Sequence, residues 1–121
     1  MDHRSRQRIA SRYANVIQRG YVRGKLAGDP VYAATAALLD ESSLPLLDIG
    51  CGIGLLGQYL NTQGRKRRYF GLDHDPLKIA TGRLAAQRGG LEDLMELQNA
   101  DADELQSVQG AVTVLDVLHY L

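Results

Sequence analysis

With 121 residues the chain is long enough for one domain with one modest core, and its 14 basic and 14 acidic side chains cancel, so as a whole it exerts no pull on nucleic acid or anionic lipid. One cysteine excludes an internal disulfide, nothing suggests a Cys/His metal site, and no apolar run reaches the ~20 residues of a membrane span. Nor does the start, Met1-Asp2-His3-Arg4, lead into the apolar core of a signal peptide, so a cytoplasmic protein without membrane, nucleic-acid or metal partners is expected.

Charge is nevertheless uneven. Arg4, Arg6, Arg8, Arg12, Arg19, Arg23 and Lys25 face only Asp2 in the first 25 residues, the pattern of a solvated helix face or of contact with an anionic partner. Ile9, Tyr13, Val16 and Ile17 recur at helical spacing, which predicts a first helix over 4–19 ended by Gly20. Residues 21–28 read as a basic connector. Asp29-Pro30 is a start signal for a second helix over 31–39. Pro45 precedes a first strand over 46–49, apolar on both faces as in a parallel sheet.

Gly50, Gly52 and Gly54 then alternate through a turn into a helix over 55–63, with Gly64 as its stop. Arg65-Lys66-Arg67-Arg68 reads as a solvated lead into a second strand over 69–72. Asp75 and Pro76 start a helix over 77–88, closed by Gly89-Gly90. Close packing on the sheet is expected to explain Gly82 inside it. A third strand over 94–98 and a fourth over 111–115 complete an alternation that predicts an α/β fold: a Rossmann-like parallel sheet with helices on both faces.

Ligands of such sheets bind outside the carboxyl ends of the strands. Each end here carries an acid: Asp48, Asp73, Asp101 and Asp116. Carboxylates gathered in a cleft need donors or a cation, so a ligand with ribose hydroxyls, an amino group and a positive charge suits them better than a phosphate-rich one.

The constellation resembles the class I S-adenosylmethionine-dependent methyltransferases. Asp48-Ile49-Gly50-Cys51-Gly52-Ile53-Gly54 matches the family's acid-x-Gly-x-Gly-x-Gly signature; Gly71-Leu72-Asp73-His74-Asp75-Pro76, Asn99-Ala100-Asp101-Ala102 and Leu115-Asp116-Val117-Leu118-His119-Tyr120-Leu121 look like its next three motifs. The resemblance covers residues 44–121. It implies the cofactor S-adenosyl-L-methionine, with S-adenosyl-L-homocysteine as product, and a role for each matched residue. The backbone of Gly50, Cys51 and Gly52 would pass the methionine part, with Asp48 supporting that turn and the amino group. Asp73 would accept from both ribose hydroxyls, His74 would lie against the adenine, Asp101 would accept from its amino group and Ala102 N–H would reach a ring nitrogen. Asp116 would line the methionine end. The fourth motif looks more like those of small-molecule methyltransferases than the Asn-Pro-Pro-Tyr type, and His119 just beyond its strand is a candidate general base. One departure is Gly110-Ala111, where the family often has an acid.

The family's sheet has the strand order 3-2-1-4-5-7-6, and this sequence supplies the first four strands, so a truncated chain is expected. Residues 1–43 form an N-terminal helical segment and candidate lid, with Tyr13, Tyr21, Lys25 and Tyr32; residues 44–121 form the cofactor-binding domain. The fourth strand would be an apolar edge that invites a homo-oligomer, directly or by exchange of terminal elements. Three alternatives stand beside the enzyme reading: a cofactor-binding half-domain without activity of its own, a relic fold that binds nothing, and a dinucleotide site. The last rests on Gly52-x-Gly54-x-x-Gly57, with Asp73 at the ribose-acid spacing. It requires the first strand to run on through Asp48 and Gly50.

Overall fold

The computed structural model describes residues 1–63 and 66–100, and the backbone of 111–113. Strands β1 (Leu46–Ile49), β2 (Tyr69–Asp73), β3 (Met95–Asn99) and β4 (Ala111–Thr113) form one parallel sheet in the order β3-β2-β1-β4. This is the expected 3-2-1-4 arrangement, and β4 is the edge strand among the described residues. Helices α4 (Leu55–Gln63) and α5 (Pro76–Arg88) are the crossovers.

Two glycines let these helices lie flat on the sheet. A Cβ on Gly57 would come within 2.6 Å of Met95 and 2.9 Å of the Tyr69 ring; one on Gly82 would come within 2.6 Å of Leu97 and 3.0 Å of the Ile53 carbonyl. Both are packing glycines, as expected for Gly82. Asp75 caps α5 by accepting from the N–H groups of Leu77 and Lys78 at 3.0 and 3.4 Å, with Pro76 at the first helical position.

Before the sheet there are three helices rather than two: α1 (His3–Ala10), α2 (Val16–Gly28) and α3 (Val31–Leu39). The single helix expected over 4–19 is broken because Asn15 starts a new one, its side chain accepting from Gln18 N–H at 2.8 Å. The bend turns Tyr13 inward and parts the apolar stripe: Ile9 and Tyr13 are buried, while Val16 and Ile17 are 69% and 81% exposed. The supposed connector 21–28 is the body of α2, with Gly20 and Gly24 inside it and a Lys25–Asp29 ion pair of 3.0 Å closing its last turn. Asp29 also accepts from Val31 N–H at 3.0 Å, but α3 is capped at Pro30 and begins at Val31, so Asp29 stands one residue ahead of the cap position expected for it.

Ile9, Val22, Leu26 and Tyr32 from these helices and Tyr13 from the α1–α2 bend share one core with Leu46, Tyr59, Tyr69, Met95 and Leu97. The basic run before β2 is not wholly solvated. Arg67 is buried, and its guanidinium donates to the carbonyls of Leu39, Ser42 and Leu44. A cation at the C-terminal end of α3 offsets carbonyls that the helix leaves unpaired. Lys66 and Arg68 are exposed as expected; Gly64 and Arg65 lie outside the described residues.

Candidate functional site

β1 ends at Ile49, and the chain turns at once. Gly50, Gly52 and Gly54 have φ of 77°, 58° and 82°. A Cβ disfavours that region, so each of the three positions calls for glycine. The N–H groups of Gly50 and Cys51 both donate to the Leu72 carbonyl at 2.8 and 2.9 Å, which folds the turn over the end of β2. Since the strand stops before Gly50, the register is the acid-x-Gly-x-Gly-x-Gly one. The dinucleotide register lacks its extended strand; Gly57, packed between α4 and the sheet, is common to both registers.

Asp73 is the last residue of β2 and is 8% exposed. Its Oδ2 accepts from Gly52 N–H at 2.9 Å and its Oδ1 from Asp75 N–H at 2.8 Å. A carboxylate oxygen has two lone-pair directions, so each keeps one. The Asp73 carbonyl accepts from Asn99 Nδ2 at 2.9 Å and from Ala100 N–H at 3.1 Å, which brings the end of β3 alongside. His74 points outward, its side chain 85% exposed, with Nδ1 3.8 Å from Asp73 Oδ1.

Asp48 differs from what was expected of a strand-end acid in the cleft. It lies one residue before the end of β1, is 4% exposed, and its Oδ2 accepts from the Tyr69 hydroxyl at 2.6 Å. In the parallel register Gly71 stands opposite Asp48, and Tyr69 is the neighbour two residues back on the same face. Burial, reinforced by the Asp48 charge, holds the Tyr69 phenol well above its ordinary pKa, so it is a donor at neutral pH. Thus the protein itself supplies donors to two of the four acids. Cys51 is buried beside them; a Cβ on Gly71 would come within 2.8 Å of its Sγ. Asp101, Ala102, Asp116 and His119 lie outside the described residues.

Three residues hold this site together: Tyr69, to which sequence reading assigned no role, Asn99, named only as part of the third motif, and Tyr13, named only as part of the candidate lid. Tyr69 satisfies Asp48, Asn99 ties β3 to β2, and Tyr13 donates to the Ile53 carbonyl inside the glycine turn at 2.9 Å. Parallel pairing of 46–49 with 69–72 could have flagged Tyr69; no local pattern flags Tyr13, which lies 40 residues from its acceptor. A groove of about 630 Å³ runs along β3 between Pro45, Arg68 and Gln98. It includes neither the glycine turn nor Asp73. Among the described residues there is no cluster of His, Cys, Asp and Glu suited to a metal, and no helix long and apolar enough to cross a membrane.

The family model described as "Methyltransferase domain" matches residues 47–121. The chain belongs to that family. This methyltransferase domain is 38% identical over 80 residues to ribosomal protein L11 methyltransferase of Aeromonas hydrophila, a match covering 66% of this chain and 27% of that protein. Over 58 residues it is 41% identical to the probable cobalt-precorrin-6B C(15)-methyltransferase (decarboxylating) of Methanothermobacter thermautotrophicus, covering 48% and 29%. Among solved structures it is similar to an RNA methyltransferase from Salinibacter ruber in complex with S-adenosyl-L-homocysteine. That match has a TM-score of 0.63 and 26% identity, and covers 71% of this chain and 57% of that one. The methyltransferase domain thus spans 27–29% of the length of these two curated relatives.

Proposed function

We propose that the chain binds S-adenosyl-L-methionine across the carboxyl ends of β1 and β2, as part of an enzyme that methylates a small molecule. The carrying observation is the bond from Gly52 N–H to Asp73 Oδ2: it sets a left-handed glycine turn against a strand-end carboxylate that keeps a lone pair on each oxygen. That donor set fits an adenosine-bearing cofactor, with bare backbone for the methionine part and a carboxylate for two ribose hydroxyls. When bound, the cofactor supplies a methyl group activated by a sulfonium. In this reading Asp73 orients the ribose and the exposed His74 lies against the adenine. Gly50, Cys51 and Gly52 pass the methionine end, and Asp48 supports their turn through Tyr69. Asp101 and Ala102 read the adenine edge, Asp116 lines the methionine end and His119 is the candidate base for the acceptor's proton.

A small-molecule acceptor is favoured by the motif Asp116-Val117-Leu118-His119-Tyr120-Leu121 and by the balanced charge; the precorrin enzyme among the relatives accords with it. A protein acceptor is the second reading, favoured by the likeness to the L11 enzymes. A screen of both acceptor classes with the longest natural form of the protein separates them. We also propose self-association through β4, which a monomer mass in concentrated solution by light scattering would contradict. Calorimetric titration with S-adenosylmethionine, S-adenosylhomocysteine and NAD tests the cofactor: the first two bind and NAD does not. Binding without turnover of any acceptor supports the half-domain reading, and NAD binding alone overturns the proposal.

A further inference from the structure

Two consecutive residues in the bend between α1 and α2 grip the unit formed by the glycine turn and α4. Tyr13, 1% exposed, donates its hydroxyl to the Ile53 carbonyl at 2.9 Å. Arg12 donates to Gln58 Oε1 at 2.6 Å and to Thr62 Oγ1 at 3.1 Å, both on α4. The bend is itself held: Arg19 of α2 donates to the Tyr13 and Ala14 carbonyls at 3.2 and 3.0 Å. Arg88, from the end of α5, donates to the Arg12 carbonyl at 3.3 Å. Gly89 leaves room for the Arg12 side chain, which a Cβ there would meet at 2.7 Å.

Ile53 stands between Gly52 and Gly54, both at positive φ. In a trans peptide the C=O and N–H point to opposite sides. Fixing the Ile53 carbonyl therefore also fixes Gly54 N–H, which donates to the Cys51 carbonyl at 3.1 Å. Gly54, on one side of this peptide plane, lowers the cost of rotating it. Asp73 pins Gly52 N–H from β2, and Tyr13 pins the Ile53 carbonyl, two peptide planes on, from the α1–α2 bend. Burial raises the Tyr13 phenol above its ordinary pKa, so it stays a donor through the neutral range.

We infer that Tyr13 is a positioning residue for the cofactor turn, and that through it occupancy of the turn and the ordering of α1 and α2 are linked. The inference rests on the cofactor reading above. Arg12 shares the bend but not the turn, so the two residues separate a positioning role from mere packing.

Wild type, Tyr13→Phe and Arg12→Gln are titrated with S-adenosylhomocysteine, melted without ligand, and followed by hydrogen exchange. Tyr13→Phe is expected to weaken binding about tenfold, the loss of one buried hydrogen bond, and to abolish the slowing of α2 exchange that the ligand causes in wild type. Arg12→Gln is expected to lower the melting temperature while binding stays within about twofold of wild type. Should Tyr13→Phe fail to fold, loss of the α2 slowing in Tyr13→Met gives the same answer. The inference alone falls if wild type binds and Tyr13→Phe binds equally well with α2 slowed as before. A wild-type chain that binds no S-adenosylhomocysteine brings down the cofactor reading and this inference with it.

Discussion

Asp48 and Asp73 are the same residue on neighbouring strands, and both are nearly sealed from water, at 4% and 8% exposure. Their partners set them apart. Asp48 is met by the Tyr69 hydroxyl from the interior, which spends the carboxylate on the protein's own support. Asp73 is met by two backbone N–H groups at the rim, Gly52 and Asp75, and keeps acceptor capacity toward whatever enters between β1 and β2. Position along the strand decides this. Asp48 is one residue short of its strand end, under the turn; Asp73 is the end itself. Among the described residues the two acids toward the ends of β1 and β2 are therefore not equal ligands but an inner and an outer member.

Substitution at these two positions is expected to give the largest contrast. In Asp73→Asn one of the two N–H groups faces an amide that cannot accept, and S-adenosylhomocysteine should bind about 100-fold more weakly by calorimetry. Asp48→Asn leaves an oxygen for Tyr69, and the loss should be about threefold. Equal losses would erase the distinction. Gly57→Ala presses a methyl into Tyr69 and Met95 on the inner side; an overpacked site costs about 1–3 kcal/mol, seen as a lower urea midpoint with cofactor affinity nearly kept.

Next in size is an alkaline effect. Tyr69 and Tyr13 have folded pKa values above their unfolded one, through burial first, so the stability they give is complete below about pH 10. It falls above that pH, as the unfolded chain loses phenol protons that the fold retains. Urea unfolding between about pH 9 and pH 11 should lose up to about 1.4 kcal/mol per pH unit for each of the two, and Tyr13→Phe should halve the slope. A flat profile would place these phenols in water. The smallest effect lies away from both acids. Gly24 sits inside α2 with nothing within 4 Å of a Cβ, so Gly24→Ala should add about 1 kcal/mol of stability without touching affinity. A connector at that position would gain nothing.

The glycine turn, Asp73 and the Asp75-Pro76 cap could be read from residues close together in the chain, because each expresses a local rule of backbone geometry; the strand order came with the family resemblance. What escaped depended on distance. The break at Asn15 was hidden by an apolar stripe that continues in register across it, so periodicity alone joined two helices. Arg67 looked like one more surface cation because its three carbonyl partners lie more than 20 residues away. Donors for Asp48 and for the Ile53 carbonyl came from Tyr69 and Tyr13, residues that carry no motif and acquire a role only when the sheet and the α1–α2 bend are assembled.

Amide NMR of the chain titrated with S-adenosylhomocysteine puts the central claim to the most direct test. The account predicts that the largest shifts fall on Gly50, Cys51, Gly52 and Gly54, and on Asp73, His74 and Asp75, with the groove along β3 unmoved. Shifts concentrated on Glu92, Glu96 and Gln98 in that groove, or none on the glycine turn at saturation, would contradict it.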